Sequence, residues 1–391
     1  MKRIYHLLLL VCTVWMVACN DHIPDPTPMK AERTVIVYMM AENSLNDFVR
    51  SDSAEMAYAV QRIPDNVNFV LYKDDIHLPV IYALSRKNGV QKWKQFTKDQ
   101  VSTDSLTMRN TLRDIVATFS ADHYGLVLWS HGGGWVPQAR SARKSWIGID
   151  NSKNSLTNTG WQMNISELRW TLEQLPHFDY VLFDACFMQS IEVAYELRKV
   201  TDYMIGSPAE IPGTGAPYDQ IMTELCKSDI AGIVNNYHNA YVSRSGVALS
   251  AINCKKLEAL ANATRSYGQH IWSDTHTKDT KDIQRYGPFY SGNSYSPEPF
   301  DLRGCMYHFL PEEDYKQWDK YLSDALVECK TTNSWETIYR IDDDHNRLTD
   351  EEHYSGISMF VPDPKYNPYG WNEAFQRTEW YKATGWGNTE W

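Results

Sequence analysis

Continuous apolar runs alternate with helical periods through the first half of the chain. The runs at 33–43 (RTVIVYMMAEN), 67–73 (VNFVLYK), 79–85 (PVIYALS), 124–130 (YGLVLWS), 180–185 (YVLFDA) and 203–207 (YMIGS) read as strands. The second and third of these read as an edge hairpin. Between the runs, 44–61 has helical character, with Ser44 as a candidate cap. The stretch 105–120 sets Leu112, Ile115, Val116 and Phe119 on one helical face. In 166–175 the face is Leu168, Leu172 and Leu175, and 189–200 reads as another helix. Strands without polar alternation, interleaved with helices, predict an α/β fold: a mostly parallel sheet with helices on both faces. Segments 246–252 and 355–362 read as later strands, and the chain between them is longer, aromatic and less regular.

In such a sheet, sites form outside the carboxyl ends of the strands. Two ends carry chemistry here: Ser130–His131 and Asp184–Ala185–Cys186.

The amino terminus changes the picture. Lys2 and Arg3 precede an apolar run and small residues before Cys19, the pattern of a secretory signal over 1–18. "MVAC" resembles a bacterial lipobox, with Met16 where Leu is usual, so Cys19 is the expected lipidation site. Residues 19–32 are polar and proline-bearing and read as a tether. One domain is expected over 33–391, less regular from about 255. The expected location is the cell envelope, at the outer membrane or cell surface, with the membrane met through the lipid anchor only. The net charge of −11 argues against a nucleic-acid partner.

Seven cysteines occur, at 12, 19, 186, 226, 254, 305 and 329. Setting aside the signal and the anchor leaves an odd number, so at least one thiol stays free. None has zinc-ligand spacing, and no metal or cofactor is expected from them.

"LVLWSHGGGW" (126–135) fits two chemistries. Its glycines could serve a serine esterase, but the chain offers no G-x-S-x-G elbow; GNSYS (292–296) lacks the second glycine. The other nucleophile is Cys186, at the end of an apolar strand where a helix is about to begin. A helix N-terminus favours a thiolate. His131 ends another strand, and adjacent parallel strands would bring the two side chains to one edge.

These stretches resemble the clostripain family of cysteine peptidases. "LVLWSHGGGW" is similar to its histidine motif and "YVLFDACFMQSIEVAYEL" to its nucleophile motif. "VIVYMMAENSL", "IGSPAEIPGTGAPY" and "SGISMFVP" also resemble family segments, spanning most of 33–362. The resemblance implies a caspase-like three-layer sandwich and a cysteine endopeptidase acting on proteins or peptides. Cys186 would be the nucleophile and His131 the acid–base group. The N–H groups of Gly132 and Cys186 would form an oxyanion hole. Asp184 would bind a basic residue before the cut bond, Arg and then Lys, and Glu210 could add a second carboxylate. Family members can process themselves at basic residues, which directs attention to Arg143 and Lys144 beside Arg140. Some relatives need calcium, but 341–353 places Arg347 and His353 where an EF-hand needs Gly and Glu. A monomer is expected. The rival reading is a non-catalytic cell-surface lipoprotein of peptidase-like fold that binds protein or glycan.

Overall fold

A computed structural model describes residues 30–135, 146–152, 160–268, 280–287, 290–291, 294–295, 298–337 and 346–385. Cys19, Arg140, Arg143, Lys144, Asp342 and Asp344 lie outside the described residues, as do the expected signal and most of the tether.

In chain order the strands are β1 (Ala31–Met40), β2 (Val67–Asp74), β3 (Val80–Ser85), β4 (Gly89–Gln95), β5 (Ala121–Trp129), β6 (Trp146–Asp150), β7 (Trp161–Asn164), β8 (Phe178–Asp184), β9 (Thr201–Gly206) and β10 (Ala248–Asn253). Among the described residues one sheet of nine strands forms the centre. Its order is Leu326–Thr331, β10, β9, β8, β5, β1, β2, β3, β4. The five strands from β9 to β2 are mutually parallel. The β2–β3 hairpin is antiparallel as expected, and β4 extends it to the edge.

Both faces of the central strands are covered, which is why β1, β5 and β8 show no polar alternation where they are buried. In β1, Ile36, Tyr38 and Met40 face one core while Val35, Val37 and Met39 face the other. The helices are α1 (Val49–Tyr58), α2 (Ser105–Thr118), α3 (Ile165–Leu172), α4 (Ile191–Leu197), α5 (Tyr218–Lys227), α6 (Ile230–Tyr241) and α7 (Leu257–Ser266). The first core packs α2, α3, α4 and α7, together with helices Leu302–Phe309 and Glu312–Ala325. The second packs α1, α5 and α6. Burying one Leu- or Ile-sized side chain in such a layer contributes about 1.5–3 kcal/mol. Local signals agree where caps exist: Asp104 accepts from the Thr107 N–H to start α2, and Asn164 and Glu167 form a capping box on α3.

One expectation changes, and the two later strands find their partners. Ser44 does not cap a helix, because a short 3-10 turn at Asn46–Phe48 intervenes and α1 starts after Phe48 with no side-chain cap. Strand β10 joins β9 antiparallel. The expected late strand is real at Ser358–Phe360 but pairs with Pro299–Asp301 in a separate ribbon, since Leu326–Thr331 already occupies the sheet edge beside β10. None of the described helices is long and apolar enough to cross a membrane.

Candidate active site

Strands β5 and β8 are neighbours, paired from Gly125 with Tyr180 to Trp129 with Asp184. The Ser130 N–H extends the pairing to the Asp184 carbonyl at 3.3 Å. Both motifs therefore leave the sheet side by side. His131, Asp184 and Cys186 line one cavity of about 130 Å³, together with Trp129 and Glu210.

The histidine turn is built on the strand after it. The His131 carbonyl accepts from the Gly148 N–H at 2.9 Å, and the Gly133 N–H donates to the Trp146 carbonyl at 3.0 Å. These bonds flank a bridge between Gly132 and Ile147, and neither uses the Gly132 N–H. A Cβ on Gly132 would collide with the Cys186 carbonyl oxygen. Only glycine lets the two turns approach this closely. Ser130 is buried and locks the turn's base: its hydroxyl donates to the Met40 carbonyl at 2.7 Å and accepts from the Ile149 N–H at 3.2 Å.

The Cys186 turn differs from expectation. Helix α4 begins only at Ile191, capped by the Ser190 hydroxyl, so Cys186 is not at a helix N-terminus. Phe187, directly after it, takes a left-handed backbone at φ 60°. A bulky residue there stores about 1–3 kcal/mol of strain. Its N–H is held by the Ala209 carbonyl at 2.9 Å. The Ile211 N–H lies 3.4 Å from the Cys186 sulfur. Loss of water contact is the main cause that pushes the Cys186 thiol up to about 12; the Ile211 bond opposes this, while Glu210 and Asp184 add to it. This surrounding disfavours the thiolate that a helix terminus would have favoured.

Asp184 is buried at the cavity wall. Its Oδ1 accepts from the Ala216 N–H at 2.9 Å and the Tyr237 hydroxyl at 3.4 Å, and its Oδ2 from the Tyr218 hydroxyl at 2.9 Å. Burial raises it to about 6, and these three donors restrain the rise. Gly215, at φ 58°, lies so close that a Cβ would sit 2.9 Å from Oδ2. Glu210 is also nearly buried and accepts from the Thr337 hydroxyl. Glu336, exposed, lines the same cavity. The cavity thus has three carboxylates, of which the sequence reading had two.

A second acidic layer lies behind the wall. The Trp129 indole N–H donates to Asp52 Oδ2 at 2.7 Å, and the Tyr218 N–H donates to Glu55 Oε2 at 3.0 Å. Burial, then the nearby Asp184 charge, lifts Asp52 to about 8. Burial, then Asp219, lifts Glu55 to about 7. Their spacing on α1 gave no chemical signal, because only tertiary packing brings them to the cavity.

The remaining thiols of the described residues, Cys226, Cys254, Cys305 and Cys329, are free. Elsewhere, Glu42, Asp74 and Asp99 bring carboxylate oxygens within 4.8 Å of one another and could hold a hard cation. Burial, and then Asp150, pushes Asp74 well above the usual carboxylate range, so a proton satisfies that group equally. In the stretch considered for calcium, His353 stacks on Tyr307 at 3.5 Å and pairs with Asp350.

The model of the clostripain family of peptidases matches residues 37–391. The chain belongs to the clostripain family. It is 21% identical to clostripain of Hathewaya histolytica, over 86% of this chain and 76% of that protein. A secreted cysteine protease of this family from Bacteroides thetaiotaomicron, solved with an irreversible peptide inhibitor, is 30% identical. It superposes with a TM-score of 0.77 over 91% of this chain and 99% of that one. An inactive zymogen from Parabacteroides distasonis is 28% identical with the same TM-score and the same coverage. The fold is caspase-like, and this clostripain-family chain is a cysteine endopeptidase. The rival reading, a non-catalytic surface lipoprotein, gains nothing from these relatives.

Proposed function

We propose that this endopeptidase cuts after arginine, with lysine as second choice, through Cys186 and His131. The observation that carries the reading is that a buried carboxylate, Asp184, lines the same cavity as the thiol and the imidazole. Three of its roughly four acceptor positions are filled, leaving Oδ2 one position for a cationic N–H. Glu210, on the same cavity, offers a second acceptor. Two separated carboxylates suit the several N–H groups of a guanidinium better than a compact ammonium.

In the reaction the Cys186 proton passes to His131 as the sulfur attacks the scissile carbonyl carbon. The oxyanion that forms accepts hydrogen bonds from the Gly132 and Cys186 N–H groups, one such donor contributing roughly 3–4 kcal/mol in other enzymes. His131 then protonates the departing amine, and a thioester remains. Water gives a proton to His131 and attacks the thioester, releasing the carboxylate product and restoring the thiol. Burial disfavours a standing thiolate at Cys186, so His131 is needed to take the proton as the sulfur attacks. No step uses a metal.

The proposal keeps export with lipid attachment at Cys19, residues 19–32 as tether, 33–391 as the peptidase domain, a monomer, and processing at Arg143 or Lys144. Cys19→Ala should move the protein from the detergent phase to the aqueous phase. The deciding experiment scans the residue before the cut bond in peptide substrates, using wild type, Cys186→Ala and Asp184→Asn. Cleavage after arginine by wild type, none by Cys186→Ala, and a strong loss in Asp184→Asn are expected. Undiminished arginine cleavage by Asp184→Asn would remove the pocket assignment.

A further inference from the structure

We propose that Ser44 is the positioning residue of His131, holding Nε2 so that Nδ1 exchanges protons at the sulfur. The inference rests on His131 being the acid–base group. The Ser44 hydroxyl lies 2.9 Å from Nε2.

The turn that carries Ser44 is anchored on both sides. Asn43 is buried, and its Nδ2 donates to the Met40 carbonyl at 2.9 Å and the Ile149 carbonyl at 2.8 Å. Its Oδ1 accepts from the Leu45 N–H at 2.9 Å. Strand β1 lies beside β5 with Met39 opposite Trp129, so the turn leaving β1 emerges next to the turn leaving β5. The serine is exposed, yet the residues before and after it are fixed. The same Ile149 segment also bonds Ser130, one residue before His131. Hydroxyl and imidazole are thus set by a common framework.

Proton bookkeeping decides the direction of the bond. A thiol that holds its proton tightly needs a ring nitrogen with an open lone pair. If the Nε2–H donates to Ser44, Nδ1 has that lone pair and takes the sulfur's proton. Both nitrogens then carry hydrogen, and Ser44 accepts from a charged ring, which makes a stronger bond than from a neutral one. If Ser44 instead donated to Nε2, the proton would sit on Nδ1 and block the transfer. Ser44 therefore holds the ring in place and accepts from Nε2–H in the working tautomer, in the way a second residue orients a general base. Ser44 acts through the imidazole, so its effect is expected on rate more than on peptide binding.

The test compares Ser44→Ala, Ser44→Thr and His131→Ala with wild type in kcat, KM, pH profile and the rate of Cys186 alkylation by iodoacetamide. For Ser44→Ala the expected result is a kcat loss of up to about 10²-fold with KM nearly unchanged and slower alkylation. The limb set by His131 should move to lower pH, because the charged ring loses an acceptor. Ser44→Thr, which keeps a hydroxyl, should recover most of the rate. Unchanged kcat and pH profile in Ser44→Ala would overturn the inference. So would a kcat loss with an unshifted profile, which a merely structural role would give. If His131→Ala stays active, the acid–base reading itself falls. If His131→Ala is inactive while Ser44→Ala is not, only the role of Ser44 falls.

Discussion

Trp129 and Asp184 stand opposite each other in register at the ends of β5 and β8. That single pairing puts the histidine turn and the nucleophile turn at one edge. It also stacks two acidic layers, since the Trp129 indole bonds Asp52 while Asp184 faces the cavity.

Gly215 tests how tightly the Asp184 wall is fitted. A Cβ there would meet Oδ2 at 2.9 Å and sit on a left-handed backbone. Gly215→Ala should raise KM for arginine substrates by roughly tenfold while kcat changes less, because the loss is in ground-state binding. Steady-state kinetics on a single peptide series reads this split.

Gly132→Ala should act on the other parameter. The added carbon would collide with the Cys186 carbonyl oxygen, so the two turns must separate. A misplacement of this size costs about 10²-fold in kcat. Unaltered kcat in a folded variant would argue against an oxyanion site at this position.

Asp184 predicts a pH dependence of cation binding. Its acid form dominates below about 6, and the neutral carboxyl no longer attracts a guanidinium. Affinity for an arginine-amide probe should therefore weaken as pH falls through about 6 and level off above it. Calorimetry on Cys186→Ala measures this without turnover, so His131 does not enter through catalysis.

Asp52 predicts a pH dependence of stability. Its carboxyl is held near 8 in the fold, far above the ordinary value near 3.8. The folded state keeps a proton that the unfolded chain releases, so this contribution is fully present at pH below about 4 and is lost as pH rises through 8. Asp52→Asn keeps an acceptor for the Trp129 N–H and removes the titration. Urea unfolding at pH 5 and pH 9 should show a smaller alkaline loss in the variant, by about 1–3 kcal/mol. Equal losses in both proteins would show that Asp52 is ionised in the fold.

The central strands were legible because burial on both faces leaves an unbroken apolar run, as in Val35–Met40 and Val181–Phe183. Strand Leu326–Thr331 was not, because its residues are only half covered and mix Glu328 and Lys330 with apolar neighbours. Helix α5 carries Ile221, Met222 and Leu225 on one face, a period hidden among the polar residues around it. In the site, His131 and Cys186 stood out because rare chemistry followed strand ends. Ser44, Tyr218 and Tyr237 did not, since hydroxyl residues are common and only the folded turns select these three. The helix-terminus expectation failed for a local reason: three further residues and the Ser190 cap separate Cys186 from the first turn of α4.

The pairing of β5 with β8 has one more outcome. A cut anywhere between Trp135 and Trp146 would put imidazole and sulfur on different polypeptides, yet those polypeptides would still share the middle of one hydrogen-bonded sheet. Such a nicked molecule should run as two fragments after denaturation and sediment as a single particle before it, with His131 and Cys186 still side by side across the break.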